Sequence, residues 1–304
     1  MTKMERRLSF FISEQNHNLT ISDFLKHQGF SSQNIVELKK MNRSILIDDE
    51  WVHTNYRLKT GENLLIHIQE NHSNEKILPI KLPFPIIYED EDLVVVNKPA
   101  NMPIHPSQNN YDNTLANAAA YYYEILRNET FTFRCINRLD RDTTGLTILA
   151  KNMYSANQLA SQMQRREIKR LYLAIIDGYL EKKYGTIRLP IGRKEGSTIE
   201  RQIDYSNGEN AVTHYCRLRT LDNYTLAAFQ LETGRTHQIR VHMASQNAPL
   251  VGDTLYNTGS SATLLPRQAL HAYRISFVHP VTKLPMKFTA EIPDDMMQLI
   301  TSNL

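Results

Sequence analysis

Over the first 70 positions apolar residues recur at helical spacing and then at strand spacing, each stretch bounded by residues that start or stop an element. Residues 21–28 read as a helix with Thr20 or Ser22 as cap and Gly29 as stop. Residues 32–41 read as a second, capped by Ser31 or Ser32 and carried by Ile35, Leu38 and Met41. Residues 44–52 read as strand, acidic turn and strand, and residues 58–68 as a turn and a further strand. This order predicts a small α+β unit over residues 1–70. Residues 71–85 hold Asn71, His72, Ser73, Asn74, Glu75 and the prolines 79, 83 and 85, the composition of a linker.

From residue 86 onward strands dominate. Two short ones flank an acidic turn at residues 87–99. Others fall at 146–151, 168–177, 212–219, 224–232, 273–278 and 285–291, with helices at 113–126, 153–166 and 235–246. Strands outnumber helices and do not alternate with them as a doubly wound parallel sheet requires. The expected fold class is therefore α+β: a mixed, largely antiparallel sheet with helices packed on it, filling residues 86–304 as one domain behind the small one.

Composition changes this picture little. The chain has 304 residues, 41% hydrophobic and 22% charged, as an ordinary globular protein does. No apolar run approaches the roughly eighteen residues that span a bilayer, and the apolar stretch at residues 8–12 is too short for a secretory signal. Cys135 and Cys216 form no zinc or disulfide framework. A cytoplasmic protein without a membrane partner is expected. Lys and Arg number 35 against 32 Asp and Glu, and the net charge of +3 permits a nucleic-acid partner without requiring one. Residues 1–70 carry nine cations and nine anions, so any phosphate affinity there has to come from local clustering.

Three segments carry candidate chemistry. In Ile136-Asn137-Arg138-Leu139-Asp140-Arg141-Asp142-Thr143-Thr144-Gly145-Leu146, four charges in five residues run into an apolar strand. Charges avoid the mouth of a buried strand unless paired or used. Arg138 and Arg141 flank Asp140 and favour its carboxylate form, which suits a nucleophile better than an acid; the plain alternative is a solvated loop whose charges pair with one another. In the strand around Arg170, period two puts Leu171, Leu173 and Ile175 on one side and Tyr172, Ala174 and Ile176 on the other. Ala174 leaves room beside the Tyr172 ring, enough for a stacked base worth about 1–3 kcal/mol, although an ordinary half-buried tyrosine fits the same pattern. In Leu231-Glu232-Thr233-Gly234-Arg235-Thr236-His237-Gln238-Ile239-Arg240-Val241-His242, a turn glycine and a capping hydroxyl open a helix. His237 and His242 stand five apart, which does not share a helical face, so no metal site is expected.

The first segment resembles the His-Arg-Leu-Asp-x-x-Thr-Ser-Gly-Leu signature of the RluA-type pseudouridine synthases. Arg170 and Tyr172 resemble that family's [K/R]-x-Y-L-A strand, and the third segment resembles its TGRTHQIRxH. Asn97-Lys98-Pro99 through Ser107, Thr114-Leu115-Ala116-Asn117-Ala118, and Arg267-Gln268-Ala269-Leu270-His271-Ala272 with Phe277-Val278-His279-Pro280 resemble further family segments, so the likeness spans residues 86–298. Asn137 stands where many relatives have His, Thr144 where they have Ser, and Asn101 where they have Gly. Residues 1–70 resemble an S4 domain: Leu58-Lys59-Thr60-Gly61-Glu62-Asn63 matches its LKxGDx, Ile47-Asp48-Asp49-Glu50 replaces its Val-Asn-Gly hairpin, and Lys39, Lys40 and Arg43 remain of its basic element.

The resemblance implies an enzyme that flips a uridine out of structured RNA and isomerises it, with ribosomal RNA ahead of transfer RNA as substrate. It makes Asp140 the nucleophile, attacking either C1′ or C6. Arg240 pairs with Asp140, Tyr172 stacks on the uracil, and Arg138 fills the vacated stack or holds the flipped phosphate. Arg141, Arg170 and Arg235, with Lys39, Lys40 and Arg43, are the candidate RNA contacts. No cofactor and no metal are implied, and a monomer is expected. Two other readings stay open: a catalytically silent RNA-binding or ribosome-assembly protein on the same fold, and a hydrolase using Asp140 and Asp142 as paired carboxylates.

Overall fold

The computed structural model of the chain describes residues 2–70, 73, 74, 76–107 and 110–302; Asn71, His72 and Glu75 of the expected linker lie outside the described residues. The N-terminal unit runs β1 (Met4–Phe11), α1 (Ile21–His27), α2 (Ser32–Lys40), β2 (Ile45–Ile47), β3 (Glu50–Trp51) and β4 (Asn63–Glu70). Thr20 caps α1 by accepting from the Asp23 N–H, and Ser31 and Asn34 close a capping box on α2. Asp48 and Asp49 turn the β2–β3 hairpin with φ of 47° and 70°, the left-handed pair that a two-residue hairpin demands. The four strands pair antiparallel in the order β1-β4-β2-β3. The residues of β4 alternate, so Leu64, Ile66 and Ile68 enter the core of this unit and Glu70 continues the same inward face.

Next come β5 (Ile86–Glu89), β6 (Leu93–Lys98), α3 (Leu115–Ala120), β7 (Thr144–Ala150), α4 (Met153–Gln164), β8 (Lys169–Asp177), β9 (Tyr184–Arg188), β10 (Ile191–Arg193), β11 (Arg201–Ile203), β12 (Val212–Thr220), β13 (Tyr224–Leu231), α5 (Gln238–Ala244), β14 (Leu270–Val278), β15 (Pro285–Thr289) and α6 (Asp294–Ser302). The expected helix over 113–126 splits into α3 and one π-helical stretch, Tyr121–Leu126. Nine strands form one sheet in the order β5-β6-β7-β14-β8-β13-β12-β9, with β15 also on β14. Every pairing within it is antiparallel except β7 with β14. All seven residues of β7 are buried, because apolar clusters lie on both of its faces. That is why its sequence lacks the polar–apolar alternation of a half-buried strand, with Thr147 buried among Leu146, Ile148 and Leu149.

The N-terminal unit sits against the N-terminal half of α4. Met153 and Tyr154 join its core. The Tyr154 hydroxyl, Asn157 and Gln158 donate to the carbonyls of Gln28 and Gly29. Glu70 accepts from the Met153 N–H at 2.9 Å and pairs with Arg134 at 2.8 Å. Arg6 forks onto Asp92, whose carboxylate also receives Asn152 and Ser155 at the start of α4. Ile77, Leu82 and Phe84 pack on the apolar cluster formed by β6 and α3.

Candidate active site

The charged segment forms the loop that enters β7. Asn137 is buried and spans the loop and the strand: its Oδ1 accepts from the Ile148 N–H and its Nδ2 donates to the Leu146 carbonyl, both at 2.9 Å. An amide makes both bonds at once, so asparagine fills this position with its polar groups satisfied. Beneath the loop Lys98 is fully buried and donates to the carbonyls of Pro99, Met102 and Arg141 at 2.8–2.9 Å. Burial pushes its ammonium down to about 7, opposed by the Asp142 and Asp140 carboxylates. Thr143 accepts from Gln268, and the Thr144 hydroxyl meets His271 Nδ1 at 2.8 Å, tying the loop to the start of β14.

The facing wall is the turn between β13 and α5. Gln238 fixes it: its Oε1 accepts from the Thr233 hydroxyl and the Arg235 N–H, and its Nε2 donates to the Val212 carbonyl and the Thr213 hydroxyl. His237 takes φ 57° there, a left-handed conformation unusual for a side-chain-bearing residue. From α5, Arg240 reaches Asp140 Oδ2 with its Nη1 at 3.4 Å. Its shorter contacts go elsewhere: Nε and Nη2 fork onto the two oxygens of Asp253, each at 2.8 Å, and the Asp253 side chain is fully buried. Such a fork is the strongest geometry a guanidinium has. The expected Arg240–Asp140 pair is therefore the looser half of an Asp253–Arg240–Asp140 array.

Asp140, Arg138, Arg170, Tyr172, Arg235 and Arg240 line one cleft of about 500 Å³. Tyr172 and Ala174 share the face that sequence period gives them, and the Asp140 side chain keeps 23% of its exposure. Burial pushes the Tyr172 phenol up. Arg138 is exposed, without a hydrogen bond or ion pair among the described residues. Arg235 is held by Glu209. Arg141 is not among the cleft residues; its guanidinium folds onto Asp142 at 2.9 Å. Lys39, Lys40 and Arg43 are exposed at the end of α2 and just beyond it, with Lys40 paired to Glu37 and Arg43 donating to the Asp49 carbonyl.

Asp142 is absent from the lining, so the paired carboxylates of a hydrolase are not assembled here. His242 spends both ring nitrogens on Thr213 and the Leu189 carbonyl, while His237 faces the cleft. Among the described residues Asp90, Asp92 and His279 bring ligand-type atoms within 4.8 Å of one another, but those atoms serve Tyr88, Arg6 and the start of α4. Sequence reading missed His237, taken up only as a metal candidate, together with Asp253 and Tyr256. His237 lies inside the strongest motif; Asp253 and Tyr256 lie in a loop with no local pattern.

A family model of RNA pseudouridylate synthases matches residues 92–245, the span that holds Asp140, Tyr172 and Arg240. The chain belongs to the RNA pseudouridylate synthase family, and within it to the RluA type read from its motifs. It is 37% identical to the uncharacterized RNA pseudouridine synthase YjbO of Bacillus subtilis (strain 168), over 93% of this chain and 98% of that one. Against ribosomal large subunit pseudouridine synthase D of Escherichia coli (strain K12) identity is also 37%, over 79% of this chain and 76% of the relative. The solved structure of human RNA pseudouridylate synthase domain containing 1 matches with a TM-score of 0.58 at 25% identity, covering 72% of this chain and 94% of that one.

Proposed function

We propose that the chain isomerises uridines of large-subunit ribosomal RNA to pseudouridine with Asp140 as nucleophile. One observation carries the role of Asp140: it is a half-open carboxylate, 3.4 Å from a guanidinium whose other edge is clamped by Asp253, at the mouth of a cleft with an aromatic wall. The names of the relatives above support the ribosomal substrate. The target base leaves its stack at a cost of a few kcal/mol. Tyr172 stacks on the flipped uracil, and Arg138, unpaired at the rim, fills the gap or takes the phosphate. Asp140 attacks C1′ or C6, and both routes lead to the same exchange. The N1–C1′ bond breaks, a C5–C1′ bond forms, the C5 proton leaves to solvent, and N1 takes up a proton. No electrons enter or leave, so the reaction has no need of a redox cofactor. Arg141, Arg170, Arg235 and the Lys39, Lys40 and Arg43 cluster are the proposed phosphate contacts of a monomeric, cytoplasmic enzyme.

Asp140→Asn keeps the size of the side chain and removes its charge. Tritium release from [5-³H]uridine-labelled large-subunit RNA is expected to fall below detection while RNA binding survives. Wild-type-like release would remove Asp140 from the role. No release by the wild-type chain, with RNA still bound, would establish the silent binding protein instead. Tyr172→Phe is expected to bind RNA within about threefold of wild type, and Tyr172→Ala to lose about 1–3 kcal/mol of stacking. Equal losses in a filter-binding assay would refute the stacking role.

A further inference from the structure

His237 is held by groups outside the motif that contains it. The backbone N–H of Arg201 in β11 donates to the Tyr256 hydroxyl at 2.8 Å. Among the described residues the phenol proton has no other acceptor than His237 Nδ1, also at 2.8 Å, and we assign it there. Nδ1 then accepts, so the hydrogen of a neutral imidazole sits on Nε2. Burial lowers the His237 pKa, opposed by Asp140 and aided by Arg240, which keeps the ring neutral. The Arg240 guanidinium lies over the Tyr256 ring, 5.0 Å from its centroid, and holds the phenol in place. His237 Nε2 faces Asp140 Oδ2 at 4.0 Å, too far for a direct bond, with side-chain exposures of 11% and 23%. The left-handed backbone at His237 aims the ring this way, and such strain is held where a site requires it.

A gap of 4.0 Å between a donor and a carboxylate oxygen accepts one hydroxyl. Two bonds of about 2.8 Å meeting at that oxygen close the span at roughly a right angle. We infer that His237, held by Tyr256, reads the 2′-hydroxyl of the target nucleotide: Nε2–H donates to the hydroxyl oxygen, and the hydroxyl donates to Asp140. The inference rests on Asp140 acting at the glycosidic bond, since the 2′-hydroxyl is then the nearest hydroxyl on the sugar. It is also the group that separates RNA from DNA. Tyr256 is a positioning residue in this arrangement; His237 touches substrate.

The test compares two synthetic stem-loops under single-turnover conditions. Both carry [5-³H]-labelled target base at the uridine located by primer extension, one as ribonucleotide and one as 2′-deoxyribonucleotide. The wild-type chain is expected to release tritium about 10- to 100-fold faster from the ribonucleotide. His237→Phe should slow the ribonucleotide far more than the deoxyribonucleotide, cutting that ratio at least about fivefold. Tyr256→Phe, which keeps the ring under Arg240 and frees the imidazole, should give an intermediate ratio. A ratio unchanged from wild type in either variant overturns the inference whatever happens to the absolute rate, because a packing role slows both substrates alike. Asp140→Asn leaves the His237–Tyr256 pair intact, so its tritium release judges the nucleophile separately; activity there would remove both readings.

Discussion

Lys98 shows at residue scale how much of the site lies outside its motifs. Its three N–H groups meet three carbonyls, one of them on Arg141, 43 residues further along the chain. Asn97-Lys98-Pro99 is recognisable in the sequence, yet nothing local says that the lysine points inward, since lysines are seldom fully buried. Asp253 was illegible for the same reason: an ion-pair partner 13 residues from Arg240 follows no helical or strand period. That Asp140 and Tyr172 share one cleft was legible because their neighbours are part of the motifs. The buried lysine has a measurable consequence. The unfolded chain keeps its proton up to the ordinary value of 10.5, whereas the folded chain releases it from about 7. Between those limits the unfolded state binds more protons, so stability rises with pH, with a slope of at most about 1.4 kcal/mol per unit. Lys98→Met should lack this slope. Urea unfolding at about pH 7 and pH 9 measures it, because the wild type gains stability relative to the variant. Parallel slopes would mean that Lys98 titrates alike in both states.

At the scale of elements, the loop, β7 and β14 form one device. β7 runs parallel to β14 only through His271↔Thr144 and Ala272↔Gly145, the register that brings the signature loop and Leu270 together in the cleft wall. Gly145 makes this crossing possible. Its φ is 113°, and an added Cβ would lie 2.4 Å from the Ala272 carbonyl oxygen. Gly145→Ala must therefore open the pairing or twist the loop. We expect a loss of stability of more than about 2 kcal/mol and a drop in tritium release greater than that loss explains. Thermal unfolding alongside turnover of the remaining folded protein checks it; a variant with wild-type melting and rate would show that the pairing is dispensable. The long strands and helices were readable from their own periodicity. β1 was not, since Met4-Glu5-Arg6-Arg7-Leu8 buries only Leu8 and its Arg6 is satisfied by Asp92 of the other unit. β9, β10 and β11 are three to five residues long and take their pairing from neighbours. Short strands of this kind exist by tertiary context, which no local window contains.

Across the whole molecule α4 links what the sequence left as two parts. Its N-terminal half carries the contacts to the N-terminal unit through Met153, Tyr154, Asn157 and Gln158. Its last turn places Met163 and Gln164 in the cleft lining, with Arg166 just beyond. Asn157 and Ala160 line a second cleft that α2 borders with Glu37 and Lys40. The helix rises about 1.5 Å per residue, so Ala160 and Gln164, one in each lining, stand about 6 Å apart on one face of it. An RNA strand leaving the active-site cleft in that direction would reach the exposed cations Lys39, Lys40 and Arg43. The N-terminal unit is neutral overall, so the RNA contact proposed for it would have to come from this cluster. Replacing all three by Gln is expected to reduce the slope of log affinity against log salt by about 1.5, two phosphate contacts at roughly 0.7–0.9 each with Lys40 discounted for its pairing to Glu37. The rate at saturating RNA should not change, because no cleft residue is altered. Filter binding of an unmodified large-subunit ribosomal RNA transcript between about 50 and 200 mM salt reads the slope. An unchanged slope would confine the N-terminal unit to bracing α4, leaving RNA affinity to Arg138, Arg170 and the rest of the catalytic face.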